Sequence, residues 1–271
     1  MKRKLIFIIT TLIFLMLNFN TFDSHAENKP TINVLSYGIS NDGQTDCSTQ
    51  LNNLFSTYPN HSFYFPAGNY LLCKTVYIPS NIVLTGEGIN SLFIAKQYLP
   101  IGSTLFYINN KTNITFDKIS ISGNIKYNSK SLGYNTKDGI HLLDIWNSNT
   151  INISNCNFID NGYAAIRAIN SNNINTTSCN FNNVDCGFIT LGHGNISNVT
   201  ISDNYFNGHE HSEPISLYAS ALHTNITIQN NIIENKKYAS GIYVGDTGSF
   251  NQIVITENKI SNCSKIGRAH V

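Results

Sequence analysis

Apolar residues recur in a fixed arrangement along the second half of the chain. The arrangement is apolar-x-apolar-x-x-small-x-apolar, and its alternation with period two predicts β-strand. Start-to-start steps of 23, 25, 27 and 27 residues separate the five faithful copies. These copies begin at Ile151, Ile174, Val199, Ile226 and Ile253, and a looser copy begins at Ile114. A repeat of this length predicts a solenoid, in which each unit packs on its neighbours.

A second apolar-x-apolar triplet lies between successive copies of the repeat. The triplets begin at Ile140, Ile166, Ile189, Ile215 and Ile242. Each coil is therefore expected to hold at least two strands, which stack on their counterparts about 4.8 Å away. The pattern predicts an all-β fold, a single-stranded right-handed parallel β-helix (solenoid) whose inward apolar residues form one continuous core.

The small position of the repeat is occupied by cysteine and then by asparagine. It holds Cys156 and Cys179 in the first two copies, and Asn204, Asn231 and Asn258 in the next three. Stacked inward amides can hydrogen-bond to each other and to the buried turn backbone, which predicts a structural ladder. In-register stacking points the two cysteine Cβ atoms along parallel lines, which favours small buried thiols over a disulfide.

The N-terminal part, residues 32–95, has shorter strands and one helix. Tyr37–Asp46 is expected to be a polar turn segment, after which Asp46 or Ser48 caps a short helix that runs through Ser56. An open β-helix end exposes strand edges and core, so this amphipathic helix is expected to cap it. Strands are expected at Ile32–Val34, Phe63–Phe65, Tyr70–Leu72, Val76–Ile78, Ile82–Leu84 and Leu92–Ala95.

The first residues have the pattern of a secretory signal peptide. A basic start, Lys2-Arg3-Lys4, precedes an apolar run from Leu5 to Leu17 and a small-x-small site at Ser24-His25-Ala26. The apolar run is too short to span a bilayer as a helix. The pattern predicts a bacterial-type signal peptide over residues 1–26 and a secreted, extracellular or cell-surface protein.

The rest of the chain is expected to form one β-helix domain over residues 27–265. Residues 266–271 depart from the repeat and resemble the translation of a sequencing adapter, so we expect a non-native tail and a C-terminally truncated domain. The formal net charge of the 271-residue chain is +1, with 12% charged residues. Such a balance gives no electrostatic footprint for nucleic acid or for an anionic membrane, so neither is an expected partner.

Four motifs lie within residues 32–95 of the chain. They are Val34-Leu35-Ser36-Tyr37-Gly38, Asn41-Asp42-Gly43-Gln44-Thr45-Asp46, Phe65-Pro66-Ala67-Gly68-Asn69-Tyr70 and Leu84-Thr85-Gly86-Glu87-Gly88. Together they resemble the start of the pectate-lyase superfamily domain, including its rhamnogalacturonase/epimerase-like members. The resemblance implies a pectin-lyase-like β-helix that acts on polysaccharide, and it identifies a fold better than an activity. The family's usual pair of acids after Thr45 is here Asp46-Cys47.

Stacked coils form long outer faces along which a polysaccharide can lie. The middle residues of the triplets predict one outer row: His141, Arg167, Thr190, Ser216 and Tyr243. Resemblance to pectate lyases implies an arginine base and Ca²⁺ held by acids, which together remove the proton α to a uronate carboxylate. Arg167 is then the candidate base, with Asp138 and Asp144 near the metal. The alternative is a solvated arginine on an exposed strand. His141 is a second catalytic candidate, and Thr190, Ser216 and Tyr243 are candidate substrate contacts.

A hydrolytic mechanism would need paired carboxylates across the scissile bond. The polygalacturonase motifs are only partly present. The motif of the Asn-Thr-Asp-Gly type is here one residue longer, as Asn135-Thr136-Lys137-Asp138-Gly139. The place of the Asp pair is occupied by Asn161-Gly162-Tyr163. Gly192-His193-Gly194 follows its strand instead of preceding it. His193 stays a catalytic candidate and Asp185 a substrate-binding candidate, against the alternative of ordinary turn residues.

Two histidines and two acids occur within one short loop before Ile215. The segment is His209-Glu210-His211-Ser212-Glu213. His209 and His211 are candidate metal ligands, or an acid and a base beside the groove. Glu213 is a further catalytic candidate because it adjoins the outer row. The alternative is a polar loop that faces solvent.

Three functions remain open from the sequence. The first is lyase or epimerase chemistry on an acidic polysaccharide, with Ca²⁺ as the implied cofactor. The second is a non-catalytic carbohydrate-binding surface protein that uses the same face. The third is a glycoside hydrolase of the polygalacturonase-like type. Polysaccharide is the expected partner in all three, and the oligomeric state is left open.

Overall fold

The chain folds into a right-handed parallel β-helix in which each coil after the first gives one strand to each of three sheets, while the first coil gives none to the third sheet. The sequence pattern had required at least two strands per coil. The first repeat pattern in fact covers two strands, with its small position in the turn between them. The computed structural model describes residues 29–125, 139–184, 189–191, 194–208, 213–218, 220–235, 240–245 and 247–269, with the backbone alone at 189–191 and 265–269.

The strands, numbered in chain order, form three sheets within the described residues. Sheet A contains β1 (Thr31–Asn33), β3 (Ser62–Phe65), β6 (Ile82–Gly86), β9 (Thr112–Asp117), β12 (Asn149–Ser154), β15 (Asn172–Thr177), β18 (Ile196–Ser202), β21 (Leu222–Gln229) and β24 (Ser249–Thr256). Sheet B contains β2 (Asp42–Asp46), β4 (Gly68–Leu72), β7 (Ser91–Ala95), β10 (Ser120–Ser122), β13 (Asn157–Asn161), β16 (Asn180–Val184), β19 (Tyr205–Asn207), β22 (Ile232–Glu234) and β25 (Lys259–Ser261). Sheet C contains β5 (Val76–Tyr77), β8 (Thr104–Asn109), β11 (His141–Trp146), β14 (Ile166–Ile169), β17 (Ile189–Leu191), β20 (Ile215–Tyr218), β23 (Ser240–Gly245) and β26 (Lys265–Ala269).

The core is a set of inward columns that run along the solenoid axis. Ile151 is in register with Ile114 and Ile174, as the repeat predicted, and all three are buried. In sheet B the rings of Phe158, Phe181 and Phe206 stack with centroids 4.9 and 4.5 Å apart. Burying such a side chain contributes roughly 1.5–3 kcal/mol, so every coil stabilises its neighbours through this column.

The turn from sheet A to sheet B explains why asparagine is common. The residue just before the small position has a positive φ in successive turns, at Lys118, Asn155, Ser178, Asp203, Asn230 and Glu257. Asn and Asp tolerate this left-handed conformation better than most residues. At the small position, Asn204 Nδ2 donates to Asn231 Oδ1 at 3.0 Å and Asn231 Nδ2 donates to Asn258 Oδ1 at 2.9 Å, which confirms the predicted ladder.

The first coil is capped by the helix α1 (Ser48–Thr57), and short 3-10 helices cover Val34–Tyr37 and Gly88–Asn90. Leu51, Leu54 and Phe55 are buried on one face of α1, and the Phe55 ring contacts Phe63 at a centroid distance of 4.7 Å. The Asp46 carboxylate accepts from the Ser48 backbone N–H at 2.9 Å, just before the helix. The predicted capping helix is therefore present.

Two details of the chain differ from the sequence pattern or extend it. Asp42–Asp46, expected as a polar turn, is strand β2, which pairs with β4 through an irregular register. It is an edge strand with little buried surface, so no apolar alternation announces it. β26 pairs in parallel with β23, although the repeat pattern breaks at Ile266.

None of the helices among the described residues is long and apolar enough to cross a membrane.

Candidate functional site

An outer row of side chains crosses sheet C from coil to coil. Strand register places its members in the order Tyr77, Tyr107, Asp144, Arg167, Thr190, Ser216 and Tyr243. The order from Arg167 to Tyr243 is the predicted one. Since a parallel sheet spaces its strands about 4.8 Å apart, the row forms a continuous track along the solenoid axis.

His141 was predicted in this row, and that placement was wrong. Leu143 pairs with Ile166 and Asp144 with Arg167, so His141 is in register with Thr104 instead. The run from Ile140 to Ile145 contains two consecutive apolar-x-apolar triplets, one centred on His141 and one on Asp144, and periodicity alone does not choose between them. Asp144, predicted beside the row, is therefore a member of it.

Asp144 and Arg167 form a two-point ion pair at the centre of the row. Arg167 Nε donates to Asp144 Oδ1 at 2.8 Å, and Arg167 Nη2 donates to Asp144 Oδ2 at 2.7 Å. The Asp144 side chain is 4% exposed and the Arg167 side chain 25% exposed. The bidentate geometry fixes both groups, and a quarter of the Arg167 side chain stays exposed to solvent.

Trp146 supports this ion pair from the same face of β11. Its indole Nε1 donates to Asp144 Oδ1 at 2.8 Å, and the Arg167 guanidinium lies 5.4 Å from the centroid of its ring. Thr104 Oγ1 adds a longer contact to Asp144 Oδ2 at 3.4 Å. The carboxylate is thus held by three neighbours, and the guanidinium gains a cation–π contact.

His141 lies buried beside the ion pair. The residue is 3% exposed, its ring centroid is 4.5 Å from that of Tyr163, and its Nδ1 has no hydrogen-bond partner. Burial lowers the pKa of His141 to about 4, with the charge of Arg167 adding to the effect and that of Asp144 opposing it. The imidazole is therefore neutral at neutral pH and has a nitrogen that can accept a proton.

The residue at the place of the polygalacturonase Asp pair is a structural asparagine. Asn161 is fully buried, and its Nδ2 donates to Ile140 O at 3.1 Å and to Tyr163 O at 2.9 Å. Next to it, a Cβ on Gly139 would lie 2.5 Å from the carbonyl carbon of Gly162, so the two coils approach closely here. This position therefore ties two turns together and carries no acid.

The C-terminal part of the row is aromatic and polar. The Tyr243 ring lies 4.8 Å from that of Tyr218, and Tyr218 Oη donates to Glu213 Oε2 at 3.4 Å. Burial, followed by the charge of Glu213, raises the pKa of Tyr218 to about 12. Ser216 is 1% exposed, so it contributes to the floor of the face more than to its surface. A Cβ on Gly245 would lie 2.7 Å from Tyr243 Oη, so glycine leaves room for this phenol.

Several predicted site residues lie outside the described residues, and their roles stay predictions. They are Asp138, Asp185, His193, His209 and His211, and for Thr190 only the backbone is described. Among the described side chains, no three His, Cys, Asp or Glu residues cluster as metal ligands. Both Asp144 oxygens accept hydrogen bonds from Arg167, so this carboxylate is engaged with the guanidinium rather than presented to a cation. A Ca²⁺ site is thus still a hypothesis about the undescribed acids and histidines.

Of the aromatic residues of this face, the sequence predicted Tyr243 and missed Tyr77, Tyr107, Trp146 and Tyr218. Tyr77 and Tyr107 are successive members of the row with ring centroids 6.1 Å apart, and Trp146 and Tyr218 lie beside it. A signal was available for Trp146, because it lies two residues after Asp144 and period two puts both on one face. For Tyr77 and Tyr107 the longer connections between the early strands hid the register.

The right-handed parallel β-helix of three sheets is the fold of the pectin-lyase-like class of solenoids. Residues 31–268 match the family described as rhamnogalacturonase A/epimerase, pectate lyase-like. The chain therefore belongs to this family. The match includes the segment that carries the four N-terminal motifs and nearly all of the repeat.

Individual relatives are more distant. The pre-neck appendage protein of Bacillus phage B103 is 31% identical over 99 residues, which is 34% of this chain and 11% of the phage protein. The catalytic unit of a GH87 α-1,3-glucanase from Streptomyces thermodiastaticus has a TM-score of 0.65 at 15% identity, covering 89% of this chain and 41% of the glucanase chain. An exopolygalacturonase from Thermotoga maritima has a TM-score of 0.56 at 14% identity, covering 84% and 75%. At such identities the structural likeness shows the fold alone, and the chain spans less than half of the first two proteins.

Proposed function

We propose that this protein binds an acidic polysaccharide along the outer face of sheet C and cleaves it by lyase-type chemistry. The same proton removal without bond cleavage would make it an epimerase. The observation that carries the proposal is the buried two-point pair of Asp144 and Arg167 at the centre of an aromatic row. Membership of the rhamnogalacturonase A/epimerase family and the signal-peptide pattern support a secreted or surface-associated protein that acts on polysaccharide.

Binding of a uronate would begin at Arg167. The pair with Asp144 uses two of the five guanidinium N–H donors, and the side chain is 25% exposed. The remaining donors suit a second carboxylate, that of the sugar, because planar guanidinium recognises carboxylates with two parallel bonds. The Tyr and Trp rings beside it offer flat apolar surfaces with a polar edge, which suits the faces of sugar rings.

Proton removal would follow beside this carboxylate. Arg167 neutralises the uronate and so lowers the cost of the charge that develops at the α carbon. His141, neutral at neutral pH, is our candidate base; Arg167 as base, which resemblance to pectate lyases implies, is the competing assignment. Calcium, if held by the predicted acids, would supply further positive charge at the carboxylate.

A second candidate function is carbohydrate binding without catalysis. The aromatic residues Tyr218 and Tyr243 form a sugar-sized surface away from the ion pair. The phage appendage relative is consistent with a solenoid in a surface structure.

The third candidate, hydrolysis, is supported by the glucanase and the exopolygalacturonase of the same fold. It would need an acid pair outside the described residues, because Asn161 occupies the expected place.

One assay separates these functions. The protein is incubated with polygalacturonate and with alginate, in calcium and in chelator, and absorbance of the unsaturated product is followed. We expect product from at least one uronate, and a loss of about 100-fold or more in Arg167→Gln and in His141→Gln. The matched control is Lys118→Gln, which removes an exposed cation from the opposite side of the solenoid and should keep full activity.

Loss of activity in Arg167→Gln has a structural explanation that must be excluded. Removing one partner of a buried pair costs about 3–5 kcal/mol, so the thermal transition is measured in parallel. The double variant Asp144→Asn/Arg167→Gln removes both charges and should regain stability without regaining activity. Flat traces on every uronate, with and without calcium, would overturn the lyase proposal. New reducing ends without unsaturation would instead identify a hydrolase, and binding without product a carbohydrate-binding protein.

A further inference from the structure

A cavity lies at the N-terminal end of the row on sheet C. Its volume is about 390 Å³, and its walls include Asn52 of α1, Lys74, Tyr77, Leu99, Ser103 and Thr104. Lys74 is the charged residue of the wall, while the hydroxyls and the tyrosine ring supply polar and flat apolar surface. Cavities of this size hold small ligands, and a monosaccharide unit is within that range.

The cavity is continuous with the proposed catalytic face. Thr104 belongs to its wall, and Thr104 Oγ1 lies 3.4 Å from Asp144 Oδ2 of the ion pair. Tyr77 also belongs to the wall, and its ring is 6.1 Å from that of Tyr107, the next member of the row. A chain bound along the row toward its N-terminal end would therefore run into the cavity.

Helix α1 closes the row beyond this cavity. Asn52 Nδ2 donates to Thr75 O at 3.0 Å, and the Tyr77 backbone N–H donates to Asn52 Oδ1 at 2.8 Å. These bonds attach α1 to β5, which is the terminal strand of sheet C. Leu99, from the connection between β7 and β8, forms another part of the wall. Helix α1 thus ends the row of strands on this side, within the described part of the chain.

We infer that this cavity binds the terminal sugar of a uronate polysaccharide, so that the protein engages chain ends rather than chain interiors. The inference rests on the proposed function of the sheet C face and adds its mode of action. Lys74 would pair with the carboxylate of the terminal uronate, the Ser103 hydroxyl would bond to a sugar hydroxyl, and Tyr77 would contact the ring face.

The geometry also predicts a short product. The strand that contains Thr104 is two strands from that of Arg167 in sheet C, which is about 10 Å at parallel-sheet spacing. A terminal sugar in the cavity would thus place a bond near Arg167 a few units from the captured end. Cleavage there breaks one glycosidic C–O bond by elimination: the α proton passes to the base, a C=C bond forms in the uronate, and the departing glycosidic oxygen takes a proton from water to become a hydroxyl on the other fragment.

Binding stoichiometry tests the inference without requiring catalysis. Oligogalacturonates of increasing length are titrated calorimetrically into His141→Gln, which lacks the proposed base and keeps Arg167, and into wild type in chelator. We expect one protein per chain at every length, because each chain offers one end of the matching kind. Several proteins bound per long chain would overturn the inference, as would unchanged affinity when both chain ends are chemically blocked.

Substitution of Lys74, the lysine of the cavity wall, is the second test of the inference. Lys74→Met should weaken binding of short oligogalacturonates about tenfold, since a hydrogen bond to a charged group is lost. Lys118→Met, with the same charge change on a turn between sheets A and B, should leave binding unchanged. Equal affinities of the Lys74→Met variant and wild type would contradict the assignment.

Product sizes separate this inference from the proposed function. If wild type cleaves polygalacturonate, we expect one short product from the start and a slow fall in viscosity. Rapid loss of viscosity with a broad size range would overturn end binding while leaving lyase action intact. If no bond is cleaved at all, the proposed catalysis fails, and the stoichiometry still decides whether the cavity captures ends.

Discussion

Charge at the site is controlled by burial. The Asp144 carboxylate is 4% exposed, yet it stays paired because Arg167 and Trp146 donate to it. Beside it, His141 is buried without a hydrogen bond at Nδ1, so its neutral form is favoured. The ion pair therefore supplies a positioned guanidinium, and His141 supplies a neutral imidazole beside it, which are the two groups that proton removal beside a carboxylate requires.

The lowered pKa of His141 predicts a loss of stability in acid. Below the ordinary value of 6.5 the unfolded chain takes up a proton at this histidine, while the folded protein resists until about pH 4. The stabilisation is complete above pH 6.5 and is lost as pH falls toward 4, by about 3 kcal/mol. Thermal melting from pH 7.5 to 4 should fall more steeply for wild type than for His141→Gln. Parallel slopes for the two proteins would contradict the buried neutral histidine.

At the scale of strands and turns, the asparagine ladder holds the coils in register. Asn231 is fully buried; its Nδ2 donates to Ile201 O and Asn258 Oδ1, and its Oδ1 accepts from Asn204 N and Nδ2. The cysteines at the same position in earlier coils make weaker bonds, such as Cys179 Sγ to Thr177 O at 3.3 Å. The ladder therefore replaces packing with hydrogen bonds in the later coils.

Removal of one rung should destabilise these coils. Asn231→Ala removes the acceptor of the Asn204 backbone N–H and the side-chain donor to Ile201 O, at a cost of about 3 kcal/mol. The control Asn175→Ala removes an exposed amide that donates to Asn152 Oδ1 at 3.0 Å, and it should change stability by less than about 0.5 kcal/mol. Hydrogen exchange at β19, β22 and β25 measures the effect locally. Equal protection in the two variants would mean that the ladder is not structural.

The sequence predicted strands well where the repeat is faithful, and poorly where it is not. From Arg167 onward each triplet fits the apolar-x-apolar pattern in one register only, so the pattern predicted the strand register of sheet C directly. Around β11, the run Ile140–Ile145 fits the apolar-x-apolar pattern in two registers, because several of its outward positions are buried as well. The ion pair was missed for the same reason, because the pattern put His141 in register with Arg167 and left Asp144 beside the row. Exposed β2 has too little apolar surface to reveal itself.

For the whole molecule, the solenoid converts a local repeat into a long directional surface. The row from Tyr77 to Tyr243 crosses seven strands of sheet C and is closed by α1 at one end. Nothing in the repeat itself encodes that closure, because α1 and the cavity arise from the N-terminal segment. The distribution of charge along the row, with one ion pair between aromatic stretches, places the proposed chemistry at the centre of the row, with Arg167 two strands from the cavity residue Thr104.

Trp146 gives the most direct measurement of the central proposal that sheet C binds acidic polysaccharide. It is the single tryptophan of the chain and donates to Asp144 at 2.8 Å, so its fluorescence reports on this site alone. Titration of wild type with oligogalacturonate should give a saturable change in emission. Neutral oligosaccharides should give none, and the double variant Asp144→Asn/Arg167→Gln should respond much more weakly to the uronate. Unchanged emission of wild type under conditions where calorimetry detects uronate binding would place the binding site elsewhere and contradict the account.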